Sequence, residues 1–134
     1  MQPALMRFDA GLAIAGKVLI ASLFWWSAFN GLSAFADVVS FVAGGGFPFP
    51  HVVAAGAVGL EIIAPAVLFV PRLEVWAALA LALYCLLTAI FFHNYWTLIE
   101  PDRFTQQVNF FKNLALAGAL LINVARDRER KVRQ

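Results

Sequence analysis

Apolar residues in this chain run in blocks rather than alternating with polar ones. Four blocks are long enough to cross ~30 Å of hydrocarbon, which takes about 20 helical residues. They cover 10–29, interrupted by Lys17; 51–70, which contains Glu61 and Pro65; 75–92, without a charge; and 108–125. The uninterrupted apolar core of the fourth, Leu114 to Ile122, is short, so its helix is expected to start upstream near Phe104 with a polar first turn. A backbone inside hydrocarbon has to satisfy its own hydrogen bonds, and no alternating strand pattern is present to build a barrel. The pattern predicts an all-α integral membrane protein, a four-transmembrane-helix bundle over 1–134 as a single domain, with a basic C-terminal tail at 126–134.

The connection between the first two spans is too long for a tight turn. Within it, Phe35, Val38, Val39 and Val42 recur at helical spacing, with Ser33, Asp37 and Ser40 on the opposite side. That spacing predicts a short helix lying in the membrane interface. Gly44-Gly45-Gly46 should end it, and Pro48 and Pro50 should hold the chain extended into the second span. A loop folded over the mouth of the bundle is the favoured reading; a lid over an outward-opening site is the functional alternative.

Composition agrees with the membrane assignment. Hydrophobic residues make up 62% and charged residues 13%, against the roughly 45–50% and 25% of soluble chains, so a water-soluble fold would leave large apolar patches exposed. The net charge of +2 does not indicate nucleic acid, because five of the ten Lys and Arg residues fall in the last nine positions and form a tail rather than a binding face. The single Cys85 excludes an intrachain disulfide, a CxxC pair and a cysteine zinc cluster.

Cytoplasmic loops collect Lys and Arg. Arg7, Arg72, Arg126, Arg128, Arg130, Lys131 and Arg133 fall on one side of a four-span chain, and Arg103 with Lys112 on the other, which predicts cytoplasmic N- and C-termini. Trp25, Trp26, Tyr95 and Trp96 suit an aromatic belt at the opposite interface. A competing reading treats residues up to Ala34-Phe35-Ala36 as a cleavable signal peptide; its cationic leader would be unusually long.

Ionisable side chains at membrane depth cost at least ~2.5–3.5 kcal/mol, so they face the bundle interior and find partners. Glu61 lies near mid-membrane, and Pro65 four positions later cannot donate the helical hydrogen bond that the Glu61 carbonyl would accept. Side-chain carboxyl and freed carbonyl together can bind a cation, a water or a ligand hydroxyl. Two readings of Lys17 stand side by side: an ion pair with Glu61 between the first two spans, or snorkelling to the cytoplasmic interface while Glu61 stays a neutral acid satisfied by a backbone carbonyl. On the fourth span Asn109, Lys112, Leu116, Ala119 and Asn123 form one stripe, with Asn113 beside it. His51 and His93 sit at span ends; metal or haem ligation by them is disfavoured against interfacial hydrogen bonding, because they lack ligand-like spacing. Tyr84, Cys85 and Thr88 read as core packing.

Phe91-Phe92-His93-Asn94-Tyr95-Trp96, then Gln106 to Gly118 with its Phe110-Phe111-Lys112-Asn113-Leu114-Ala115-Leu116-Ala117-Gly118 core, resemble the DoxX family of small bacterial membrane proteins. Gly46-Phe47-Pro48 and the acidic Glu61 fit as well; Ala119 stands where a second glycine is usual. The resemblance implies a four-helix protein of the bacterial inner membrane. Relatives are associated with quinone-coupled thiosulfate oxidation or with other membrane oxidoreductase and thiol-stress systems, but a single cysteine leaves no partner for a sulfur relay. The leading expectation is an accessory subunit of a quinone-linked membrane oxidoreductase, without independent catalysis. Its ligand site would be lined by Glu61, His93, Asn94, Trp96, Lys112 and Asn113, with quinone as ligand, Trp96 against the ring and Glu61 as proton carrier. The alternative is a non-enzymatic module that binds or moves a small apolar molecule or lipid, or scaffolds a partner. Partners are the lipid bilayer, oxidoreductase subunits or a second copy of the chain.

Overall fold

In the computed structural model, which describes the backbone of residues 2–132 and side chains of 9–129, the chain forms five α-helices and one 3-10 turn. They are α1 (Gln2–Ser33), α2 (Phe35–Gly44), α3 (Pro50–Val67), α4 (Glu74–Phe92), the 3-10 turn Tyr95–Thr97 and α5 (Asp102–Val132). Four of the helices are long and apolar enough to cross a membrane, over Asp9–Ser33, Pro50–Val67, Glu74–Thr97 and Asp102–Glu129. Helix α2 is the short helix expected in the first loop. Its Val42 is buried and Val38 and Val39 half-buried, while Asp37 and Ser40 are exposed.

The helices run past the apolar blocks at several ends for local reasons. Helix α5 begins at Asp102 and continues into Arg126–Glu129, because Arg, Glu and Asp extend a helix at little cost even where they no longer extend the hydrophobic run. Helix α3 ends at Val67 rather than at 70, since Val70 precedes Pro71 and a residue before proline avoids helical backbone. At its other end Pro50 occupies the first helical turn, where no amide donor is needed. The preceding Phe49 is left-handed (φ 54°) and its carbonyl accepts from the amides of Val52 and Val53.

Helix α4 packs most closely on α5. The contact face of α4 carries Ala77, Ala78, Ala82, Cys85 and Ala89, all buried, and α5 answers with Ala117, Leu120 and Val124. Between helices already in oil, small residues that admit close backbone approach replace hydrophobic burial as the source of packing. Helix α3 packs on α4, α1 on α3 and α2 on α3. Among the described residues α1 and α5 share no comparable packing, so the spans form an arc with a seam between its first and last members.

The first loop folds onto the end of α4. Phe41 and Phe47 stack on Phe92 with ring centroids 5.2 and 5.1 Å apart, and Phe47 meets Phe91 edge-on at 5.6 Å. Gly45 lies under the Phe92 ring, where a Cβ would come within 3.1 Å of it. Past α4, Tyr95 and Trp96 pack against Phe110 of α5.

Ala78 tests the account of the α4–α5 interface. Ala78→Leu should lower stability by about 1–3 kcal/mol through overpacking, seen as a lower thermal midpoint in detergent. Trp76→Phe, at a position 71% exposed, should leave that midpoint in place.

Candidate functional site

Two carboxylates organise the polar groups inside the bundle. Glu61, on α3 one turn before Pro65, is 8% exposed. Its Oε1 accepts from the Tyr84 hydroxyl of α4 at 2.7 Å and from Ser27 Oγ of α1 at 3.1 Å. No hydrogen bond from a described residue reaches Oε2. One residue along α3, the Ile62 carbonyl accepts from Trp25 Nε1 of α1 at 3.1 Å, next to the carbonyl that Pro65 deprives of its helical donor. The polar defect made by a glutamate and a proline is thus shared among three helices.

Glu74, in the first turn of α4 where the helix dipole favours an acid, is 6% exposed. Its Oε1 receives Lys17 Nζ of α1 at 2.7 Å and Asn123 Nδ2 of α5 at 2.9 Å. This corrects the expected pairing of Lys17 with Glu61. Glu61 is level with Ser27, about ten residues or ~15 Å farther along α1 than Lys17, whereas the start of α4 brings Glu74 alongside the lysine. Glu61 is likewise satisfied by two side-chain hydroxyls rather than by a backbone carbonyl.

A cleft of about 300 Å³ opens beside Glu61 along the α1–α5 seam. Glu61, His93, Lys112 and Asn113 line it together with Ser27, Asn30, Tyr84 and Thr88, and Leu23, Phe24 and Trp26 form its apolar wall. His93 Nδ1–H donates to Gln106 Oε1 at 2.7 Å, which leaves Nε2 as the acceptor of the neutral ring. Lys112 Nζ donates to Asn109 Oδ1 at 3.0 Å. Glu61 and Lys112 face the same space without forming an ion pair.

Asn94 and Trp96 do not line the cleft, which corrects their place in the expected set. Helix α4 stops at Phe92, and the 3-10 turn that follows carries Trp96 outward onto Phe110. The Asn94 carbonyl accepts from Thr97 Oγ1 at 2.9 Å. His51 is exposed near the start of α3 and is absent from the cleft lining. Among the described residues no three His, Cys, Asp or Glu side chains are grouped for a metal ion.

Ser27, Asn30, Glu74, the Gln106 partner of His93 and the cleft-facing sides of Tyr84 and Thr88 escaped the sequence reading. Tyr84 had a usable signal: in a hairpin turning through 68–73 it lies within about one helical turn of the height of Glu61. Glu74 follows Arg72 at a span boundary and looks like a loop charge.

Four membrane-length helices around a polar cleft, with an interfacial helix in the first loop, define a small multi-pass membrane protein. The chain belongs to the DoxX family, whose family model matches residues 12–94, from α1 through the end of α4. It is also similar to inner membrane protein YphA of Escherichia coli strain K12, 28% identical over 123 residues that cover 88% of each chain. No solved structure matches the chain. Family, relative and apolar helices together make it a multi-pass inner-membrane protein.

The Lys17–Glu74 assignment is open to a double-mutant cycle. Glu74→Gln should cost up to about 3 kcal/mol by leaving the half-buried Lys17 unpaired, and Lys17→Met in the same background should recover most of it. Lys17→Met and Glu61→Gln should add independently in thermal unfolding.

Proposed function

We propose that this protein is an accessory subunit of a quinone-linked membrane oxidoreductase, holding the head group of a lipid-soluble quinone in the Glu61 cleft. The supporting observation is that the Glu61 carboxyl and the Lys112 amine line one cleft without forming an ion pair. A head group with two separated oxygens fits between them: Lys112 donates to one, and the other accepts from a protonated Glu61 as the quinone or donates to the Glu61 carboxylate as the quinol. At about 300 Å³ the cleft is at the small end of the roughly 300–1,000 Å³ usual for ligand sites, which suits a head group whose tail continues into lipid through the seam.

In this reading Lys112 Nζ donates to one ring carbonyl, and the apolar wall of Phe24 and Trp26 takes the ring face that was assigned to Trp96 from sequence. Tyr84 and Glu61 form a hydroxyl–carboxyl relay that can hold or pass one proton. Reduction of a quinone to a quinol takes two electrons and two protons. In this reading the role of the chain is to bind the head group and deliver one of the two protons, while the two electrons and the second proton come from the partner oxidoreductase.

The test is saturable binding of a short-tailed quinone analogue to the purified protein in nanodiscs. Lys112→Ala should weaken it about tenfold, the worth of a hydrogen bond from a charged donor, and Glu61→Gln or Tyr84→Phe should weaken it as well. Absence of saturable binding, or binding indifferent to all three substitutions, would favour a module that carries another apolar molecule or scaffolds a partner.

Both termini are assigned to the cytoplasm in the same proposal. Arg72, Arg126 and Arg128 belong to one end of the bundle and Arg103 to the other; the side chains of Arg7, Arg130 and Lys131, and the whole of Arg133, which entered the sequence count, lie outside the described residues. A fluorescent protein fused to the C-terminus should glow and a periplasm-dependent phosphatase in the same place should be inactive; the reverse pattern would invert the topology.

A further inference from the structure

We infer that the opposite end of the α1–α5 seam is a binding site for one anionic phospholipid. A second cleft, of about 230 Å³, lies there. Its walls are apolar: Leu12 and Ile20 from α1, Leu68 from the α3–α4 turn, and Leu120 and Ile122 from α5. Its polar members are Lys17, Asn123 and Arg126. Cations set above an apolar slot between membrane helices are the chemistry that takes a phosphate head with its acyl chain below.

The charges at this end decide how much of that cation character is available. Lys17 spends one donor on Glu74 and keeps two more N–H groups. Arg126 forms no hydrogen bond or ion pair with a described residue. The acids nearby are Glu74, already bridged by Lys17 and Asn123; Asp127, buried on α5 next to Arg126; and Asp9 and Glu129, both exposed. Arg126 is therefore the cation available to a phosphate, with Lys17 behind it. A free inorganic or glycerol phosphate would use the cations but not the apolar slot, so the lipid is the occupant that uses both. The floor of the cleft includes Gly16, where an added Cβ meets nothing within 4 Å. Room for a Cβ at this position permits a specific test, because a larger side chain there is directed into space that an acyl chain would occupy.

Native mass spectrometry of the detergent-purified full chain, titrated with phosphatidylglycerol, phosphatidylcholine or glycerol phosphate, reads the site directly. One phosphatidylglycerol should be retained at least about fivefold more tightly than phosphatidylcholine, the effect of one well-placed cation, and glycerol phosphate should not be retained. Arg126→Gln should remove that preference. Gly16→Leu should reduce retention of both lipids while helical content and elution volume stay as in the parent protein. Equal retention of the two lipids would overturn the inference. So would a preference that survives in both variants, since that would place the attraction in the basic tail, or glycerol phosphate bound as tightly as the lipid, which would make the site one for a free anion.

Discussion

A carboxyl group inside a bilayer has no water to turn to, and this fold is arranged around that constraint. Glu61 draws in Tyr84 of α4 and Ser27 of α1; Glu74 draws in Lys17 of α1 and Asn123 of α5. In each case a donor from α1 completes the set. Helix α1 packs on α3 but has no comparable packing on α5, and these polar ties and the Trp25–Ile62 hydrogen bond add to that packing, with Glu74 linking Lys17 of α1 to Asn123 of α5 across the seam. The two clefts are what remains of the seam between them.

The two halves of the bundle pack through different side chains. Helices α4 and α5 meet through alanines and a cysteine of α4 set against Ala117, Leu120 and Val124 of α5, a contact that depends on close approach and tolerates little change in spacing. That half carries Tyr84, Thr88, His93, Lys112 and Asn113 of the Glu61 cleft. Helix α1, which supplies Ser27, Asn30 and the apolar wall, packs on α3 with Ala21, Phe24 and Ala28 buried and adds the hydrogen bonds of Trp25 and Ser27 to that helix. The cleft therefore lies between the α4–α5 pair and α1, away from the main packing interface.

The four spans and the interfacial helix were legible because hydrocarbon imposes a length and a composition that survive in sequence alone. Glu61 was legible for the same reason, as an acid in the middle of an apolar run, and Pro65 marked the backbone defect beside it. The partner of Lys17 was not legible. Height estimates from span boundaries accumulate error at both ends, and the true α1 extends from Gln2 to Ser33, beyond the apolar block on either side. Glu74 was hidden by its place beside a turn, although burial makes it as much an interior acid as Glu61. Trp96 was misplaced because motif adjacency to His93 says nothing about the 3-10 turn that separates their directions.

The buried face of α5 shows what periodicity can and cannot do. The polar stripe Asn109, Lys112, Leu116, Ala119 and Asn123 is real, yet the residues packed into the bundle are Asn113, Ala117, Leu120 and Val124, one position around the helix. In water the apolar stripe would mark the core and the polar one the surface. In lipid both faces are apolar enough to be ambiguous, and the polar stripe marks the edge of the contact, where Lys112 reaches one cleft and Ala119 and Asn123 the other. The helix thus presents Ala117, Leu120 and Val124 to the small residues of α4 and its polar groups to the seam. An open seam with built polar ends follows from that division, because the groups costliest to leave in oil are the ones that border it.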